Sequence, residues 1–410
     1  MTASQWRRSF RALWFSQFIS IAGLTVVVPL LPFYMEELGA HGDANRWWTG
    51  LALAAPAITL CLSSPIWGRI GDRWGRKWMV VRAVFGLSVS VAFMGVAQTP
   101  LQFLFWRLVQ GSFGGVVDAA AAFAGCQAPE KARGKSLGFL QSATAAGSLV
   151  GPLIGGLLAD LWGFRPLFWL MGGLTAVAGL IAMIVLKEPA REPVKESEKR
   201  ASFAQISRSL LENRGVRSLI LAGICAQAGV FGLVTVFAPM VRDMAGSDQF
   251  AATWVGGLQA ATWGATILGA PWWGRKNDRG QIERHFFWAS AGCGVSIFLQ
   301  ILPHDPAWLI PLRILQGFCF SALLQSVFLK VTRHAGEAVR GTSIGVTNSF
   351  LVFGQVLGSL GTAWVGGWLP VEWVIILLGT LFMTGALLVH HQPRFGGPRL
   401  ASWTPSRDRQ

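Results

Sequence analysis

Gly68-Arg69-Ile70-Gly71-Asp72-Arg73-Trp74-Gly75-Arg76-Lys77 is a charged turn wedged between two long apolar runs, and its reading decides the fold. Charge packed beside runs long enough to cross a bilayer needs a physical reason, and the rest of the chain repeats the feature. Pro65-Ile66-Trp67-Gly68-Arg69 and Asp72-Arg73 return as Pro271-Trp272-Trp273-Gly274-Arg275 and Asp278-Arg279, 206 residues later in a chain of 410. The same offset carries Pro100, Arg107, Gln110 and Gly111 to Pro306, Arg313, Gln316 and Gly317. Arg133-Gly134 recurs as Arg340-Gly341, and Gly147 and Gly151 as Gly354 and Gly358. The chain reads as a duplication.

Composition places both copies in a membrane. Hydrophobic residues make up 52% of the sequence and charged ones 13%, with 49 Gly, 27 Phe and 20 Trp, too apolar for a soluble enzyme of this size. A helix needs about 20 apolar residues to span the hydrocarbon core. Roughly twelve such runs occur, near 11–34, 47–68, 77–98, 101–125, 136–160, 164–186, 217–240, 250–273, 285–303, 307–330, 342–367 and 371–390. They predict an all-α membrane protein of twelve transmembrane helices in two pseudo-symmetric halves. Residues 1–186 form the first six-helix half, 187–216 a cytoplasmic linker, 217–390 the second half, and 391–410 a disordered cytoplasmic tail. Within the linker, Phe203, Ile206, Leu210 and Leu211 have helical spacing and predict a short surface helix.

The net charge of +15 follows from topology. Nearly all of the 35 Lys and Arg lie in the N-terminus, the 2–3, 4–5, 8–9 and 10–11 loops, the linker and the tail. The opposite loops hold only Arg46, Arg165 and Arg242, so the positive-inside rule puts both termini in the cytoplasm of a bacterium, across its inner membrane. The basic balance then reports insertion polarity and attraction to anionic lipid, and nucleic acid is not a partner. Arg7-Arg8-Ser9-Phe10 precede a run that no small-residue cleavage site closes, so that run reads as an uncleaved first helix. Five cysteines without a CxxC pair indicate neither disulfides nor a metal site, and no cofactor motif is present. The absence of a Walker motif leaves an ion gradient as the energy source.

In the charged turn, Gly68 can sit where one helix presses on another, while Gly71 and Gly75 permit a turn too tight for side chains. Asp72 can cap a helix end or pair with an arginine in one of two conformations. Gly68, Asp72, Arg73, Gly75, Arg76 and Lys77 therefore form either a conformational latch or plain topology determinants in solvent; the glycines, superfluous to topology, favour the latch. In the fifth run Gly147, Gly151, Pro152, Gly155 and Gly156 make a small-residue face that lets backbones approach, and Pro152 frees a carbonyl and bends the helix. In the fourth run Arg107 and Asp118 are eleven residues apart, which on one continuous helix returns them to within roughly 20° and separates them by about 16 Å. Each must then look into a cavity or find another partner, because a charge facing lipid is costly. Arg107 and its counterpart Arg313 can also snorkel to the interface. Asp118 is either a proton-coupling group or a fixed hydrogen-bonding one. Other polar residues inside runs, Gln17, Gln110, Gln141, Gln227, Gln259 and Asn348, could line a cavity with Arg313, Trp14 and Trp263, or could serve helix packing.

These motifs resemble those of the major facilitator superfamily. The charged turn is similar to its loop 2–3 signature, Gly-x-Leu-Ala-Asp-Arg-x-Gly-Arg-Lys, with Ile70 and Gly71 as variations. Residues Gly147 to Gly156 resemble its antiporter signature, Gly-x3-Gly-Pro-x2-Gly-Gly, and Arg107, Gln110 and Gly111 its fourth-helix signature. Pro29-Leu30-Leu31-Pro32-Phe33-Tyr34 followed by Glu36-Glu37 resembles the twelve-span drug:proton antiporters, which include bacterial multidrug exporters. The resemblance implies a loop that stabilises the outward-facing state against the second half, an arginine at Arg107 that takes part in proton transfer, and export. One asymmetry and one departure stand out. The second half has Ser359 where the proline of the antiporter signature would fall, as the family pattern also has it. Cys126 occupies the end of the fourth span where many members carry an acid, so either Glu130 substitutes or the charge relay is absent.

The expectation is a proton-coupled secondary transporter, not an enzyme, that exports small amphiphilic molecules such as drugs by alternating access, as a monomer without cofactor or metal. A dedicated metabolite or siderophore transporter of the same fold, exporting or importing, is the alternative. An intramembrane enzyme would need acids, bases or metal ligands clustered at one depth, and Asp118 stands alone.

Overall fold

Apolar runs that end at Gly, Pro or a charged cluster fold into helices, and the breaks fall where backbone bonds cannot continue. The structure, a computed structural model, describes residues 3–128, 133–188, 203–246, 249–278, 280–335 and 339–390, and among these no strand occurs. The first span is α1 (Ala3–Thr25), a 3-10 turn (Val28–Leu30) and α2 (Leu31–Glu37). It departs from the continuous run expected, because neither Pro29 nor Pro32 can donate a backbone bond to the preceding turn. Then come α3 (Gly42–Trp74) and α4 (Arg76–Met94), joined through Gly75 alone, whose φ of +99° few other residues adopt. The fourth span is also broken, into α5 (Pro100–Ser112) and α6 (Val116–Gln127), with Gly115 left-handed at φ +88°. The first half finishes with α7 (Arg133–Trp162) and α8 (Phe164–Val185).

The linker carries α9 (Phe203–Glu212), which buries Ile206 and Leu210 against the second half. The second half comprises α10 (Arg214–Ala245), α11 (Ala251–Asp278), α12 (Ile282–Leu299), α13 (Leu309–His334), α14 (Arg340–Val365) and α15 (Val371–His390). The seventh span thus opens at Arg214, where the side chain of Asn213 caps it by accepting from Val216 N at 3.0 Å. Among the described residues, ten of the twelve helical columns are long and apolar enough to cross a membrane. The other two, α11 and α12, take the places of α3 and α4 in the second half; α11 carries Trp, Gly, Thr and Gln, which lower its mean hydropathy. Of the tail expected at 391–410 and of residues 189–202 in the linker, nothing is described.

The duplication survives at the level of single bonds. Trp67 Nε1 donates to the Ser112 carbonyl at 2.7 Å, and Trp273 Nε1 to the Phe318 carbonyl at 2.9 Å. Gly111 leaves no room for a Cβ against the Pro56 carbonyl, nor Gly317 against that of Thr262. Exposed tryptophans, which prefer the membrane interface, gather at both ends of the bundle: Trp162, Trp308, Trp368 and Trp373 at one, Trp74, Trp78 and Trp288 at the other.

The halves meet along α7 against α11 and α3 against α14. Side-chain bonds that join them gather at the end where α2, α7 and α14 finish and α3 and α11 begin. There Arg242 donates both terminal nitrogens to the Glu36 carboxylate, the longer bond being 3.1 Å. Asp160 accepts from Thr253 N and Thr253 Oγ1, each at 2.6 Å, and from Ala252 N at 3.3 Å. Arg46 reaches the Gly366 carbonyl across the same seam. Backbones touch here as well, since a Cβ on Gly50 would stand 2.7 Å from the Ser359 carbonyl. Tyr34 anchors this end within the first half: fully buried among Phe103, Phe164 and Phe168, it donates to the Met94 carbonyl at 2.8 Å. At the opposite end Gly68, Gly138, Gly341 and Gly345 have nothing within 4 Å of where a Cβ would stand. Among the described residues, these side-chain bonds between the halves all lie at the first of the two ends.

Candidate functional site

The break in the first span places Pro29 against the second half, where it closes a cleft formed by α10, α11 and α13. Phe237, Gln259, Thr262, Trp263, Arg313 and Gln316 are among its walls, which are mostly apolar. Its cavity volume is about 40 Å³. A water-sized probe needs roughly 10–15 Å³, so the cleft admits one small functional group and not a whole substrate.

Arg313 dominates this cleft. It is 4% exposed, and its guanidinium lies 4.2 Å from the centroid of the Phe237 ring. Nη1 donates to Gln316 Oε1 at 2.9 Å and Nη2 to Gln259 Oε1. Gln316 Oε1 is held in turn by Gln300 Nε2 at 3.1 Å. Arg107, its counterpart in the first half, is equally buried but bonds differently, Nε to the Ala52 carbonyl at 2.9 Å and Nη1 to Gln110 Oε1 at 2.8 Å. Both arginines are locked inside the bundle and neither snorkels. Arg107 pins α5 to α3, with neutral partners that spread its charge.

The structure does not bring Arg107 and Asp118 onto one helix face. That expectation assumed a continuous fourth helix, and the break at Phe113–Gly115 puts them on α5 and α6. Asp118 lies in the first turn of α6 with its side chain exposed, and among the described residues no basic group lies within ion-pair distance of it. The carbonyls freed by the break are taken up elsewhere. Trp67 holds that of Ser112, and Arg82 Nη2 donates to that of Gly114 at 3.2 Å while its guanidinium stacks 4.0 Å above the Trp67 ring.

In the charged turn the side chains of Asp72 and Arg73 lie outside the described residues, as does Glu130. What the structure adds is Glu188, just beyond α8. Its carboxylate accepts from Arg76 N at 2.9 Å and Lys77 N at 2.8 Å, capping α4 where the positive end of the helix dipole favours an anion. A Cβ on Gly75 would stand 2.7 Å from Glu188 Oε2, which is a second reason for glycine there. Gly68, expected at a helix contact, faces open space in this conformation. Cys126 is exposed.

The fifth-span glycines are packing positions on two fronts. Cβ atoms on Gly147 and Gly151 would stand 2.7 and 2.6 Å from the Phe18 and Ala22 carbonyls of α1, and Gly155 abuts Val26. Gly156 abuts Ala252 of α11, and the Pro152 carbonyl faces Gly256. In the second half Gly354 and Gly358 repeat the arrangement against Ile224 and Ala228 of α10.

Of the cavity candidates, Gln259, Trp263 and Arg313 meet in the cleft. Gln17 instead bonds α1 to α7, through the Leu140 carbonyl at 2.9 Å and Thr144 Oγ1 at 2.7 Å. Gln110 is the partner of Arg107, and Gln227 is buried beside Gly354. Gln141 and Asn348 are exposed on α7 and α14, while Trp14 donates to Ser142 Oγ at 3.1 Å. Sequence reading missed Thr262, whose signal was the 206-residue offset from Pro56, and Asp160, a lone acid closing a small-residue face.

The family profile of the Major Facilitator Superfamily matches residues 13–293 and 248–406. The Staphyloferrin B transporter of Staphylococcus aureus (strain NCTC 8325 / PS 47) is 42% identical over 392 residues, covering 94% of this chain and 93% of that one. The Multidrug resistance protein MdtG of Serratia proteamaculans (strain 568) is 32% identical, covering 87% and 86%. Among solved structures, a bacterial homologue of the human lysosomal transporter Spinster, inward-facing and occupied, superposes with a TM-score of 0.76 at 16% identity, covering 95% and 97%. The nucleoside transporter NupG does so with a TM-score of 0.76 at 13% identity, covering 93% and 98%. With this profile, these relatives and a duplicated six-helix architecture in agreement, the chain belongs to the major facilitator superfamily.

Proposed function

We propose that this protein is a proton-coupled exporter of a small metabolite of the siderophore class, working by alternating access between its two halves. The observation that carries the mechanism is the one-sided seam. Bonds between the halves gather at one end, so a rocking motion that breaks the Arg242–Glu36 and Asp160–Thr253 contacts would open that end while the other closes. The end opposite this seam bears the basic loops, so by the positive-inside rule it faces the cytoplasm and the bonded end the periplasm. The substrate class is taken from the 42% relative, a likeness ten percentage points above that to the multidrug protein. The direction rests on the antiporter signature at Gly147–Gly156, and Asp118 is the candidate for proton coupling. The charged turn, with Asp72 and Arg73, would latch in the opposite conformation. A multidrug exporter is the second reading, favoured by the 31–32% relatives.

The test is transport in everted vesicles. An imposed proton gradient should drive uptake of a siderophore, and an uncoupler should abolish it. Uptake of ethidium without the siderophore would favour the multidrug reading, and accumulation in whole cells would mean import. Reporter fusions after Lys187 and after His41 should be cytoplasmic and periplasmic respectively; the reverse would overturn the orientation.

A further inference from the structure

We propose that the Arg313 cleft is an anion subsite and that the group it takes is a carboxylate of the transported molecule, an assignment that rests on the reading of this chain as a small-molecule transporter. The first ground is an uncompensated charge. Arg313 is 4% exposed and the cleft around it contains no acidic residue. A guanidinium buried among neutral amides and an aromatic face has lost more hydration than such partners return, and an anion would restore the balance.

The second ground is an unsatisfied donor. Arg313 Nε is buried without a hydrogen-bond partner. The duplication shows that this is not a requirement of the fold, because Arg107 Nε, at the equivalent place, is satisfied by the Ala52 carbonyl at 2.9 Å. In the second half the guanidinium turns to the side chains of Gln259 and Gln316, leaving Nε buried and unsatisfied. Gln300 fixes Gln316 from behind, so the arginine is held in place by groups that do not neutralise it.

The third ground is size and chemistry. The cleft's 40 Å³ suits a planar carboxylate, for which the Arg313 guanidinium is the charged donor, and Trp263 is among the walls. Thr262 and Thr266 add no further anchor, since their hydroxyls donate to the Leu258 and Gly317 carbonyls at 3.0 Å. The remainder of the substrate would lie outside, in the space between the halves bounded by Pro29.

The experiment uses the full chain purified in detergent, with citrate and its trimethyl ester as probes that differ in charge and share a skeleton. Titration calorimetry and thermal unfolding should show citrate binding and stabilising the parent, with no response to the ester. Arg313→Gln should weaken citrate binding roughly tenfold to a hundredfold, with Arg313→Lys between the two. A purely structural arginine would make ligand-free Arg313→Gln melt lower than the parent; a subsite arginine, relieved of its buried charge, predicts melting at or above it. The proposal is overturned if citrate fails to bind the parent, if the ester binds as well as the acid, or if Arg313→Gln binds citrate undiminished. Equal stabilisation by sulfate or chloride would reduce the site to a general anion site and overturn the carboxylate assignment. Vesicle transport separates the two levels. Arg313-dependent binding without gradient-driven uptake of any polycarboxylate sinks the exporter reading and leaves the subsite standing; uptake equal in parent and Arg313→Gln does the reverse.

Discussion

Asp160 is the point at which the conformational equilibrium should be easiest to move. Its carboxylate, on the first half, accepts three bonds from the start of α11 on the second, two of them at 2.6 Å. Asp160→Ala removes all three, together with the attraction between an anion and a helix N-terminus. Hydrogen bonds to charged groups contribute about 1.5–3 kcal/mol in favourable cases, and in the parted conformation water would satisfy the same donors. Because the group is only partly buried, the whole contact contributes a net ~2 kcal/mol, and its loss tilts the equilibrium toward the conformation open at this end about 30-fold. A reporter lies across the seam: Ser359 is fully buried, and its carbonyl packs on Gly50 of the other half. With Ser359→Cys as background, maleimide labelling of that cysteine should accelerate about 10- to 30-fold when Asp160→Ala is added, followed by the mass of its peptide. The melting temperature is measured alongside to exclude general loosening. Labelling within twofold of the background would refute the idea that Asp160 holds the halves together.

Asp118→Asn should abolish uphill transport and substrate-induced proton release while leaving downhill exchange intact, as vesicle assays with and without a gradient would show. Retained uphill transport would make Asp118 structural. Glu188→Ala should destabilise the protein by about 1 kcal/mol in thermal or denaturant unfolding through loss of the α4 cap, and Glu188→Gln by less. Gly151→Ala should cost about 1–3 kcal/mol, because the added methyl has no room against Ala22 and Thr25, whereas Gly138→Ala, facing open space, should be tolerated.

How much of this was legible in the sequence depends on whether a local pattern carried it. Duplication, membrane span and basic-loop asymmetry need only composition and offset, and the bond pairs Trp67–Ser112 and Trp273–Phe318 follow the same 206-residue step. The first span was expected to be continuous although Pro29 and Pro32 lie in or beside it, and the break at Phe113–Gly115 changed the relation of Arg107 to Asp118 in a way periodicity alone could not reveal. Gly147, Gly151 and Gly156 read as a packing face, but which helix each touches is a property of the assembled bundle, one front meeting α1 and the other α11. Gln17 and Gln259 are the same residue type in the same apolar setting, and only the fold makes one an interhelical bond and the other a neighbour of Arg313. Glu188 and Asp160 carried no motif at all. Their roles come from partners 112 and 93 residues away, and contacts of that range are set by how whole helices pack. Sequence thus determines which segments must leave water, because hydropathy is local; tertiary structure decides which polar groups remain to be satisfied, because that depends on what is brought beside them.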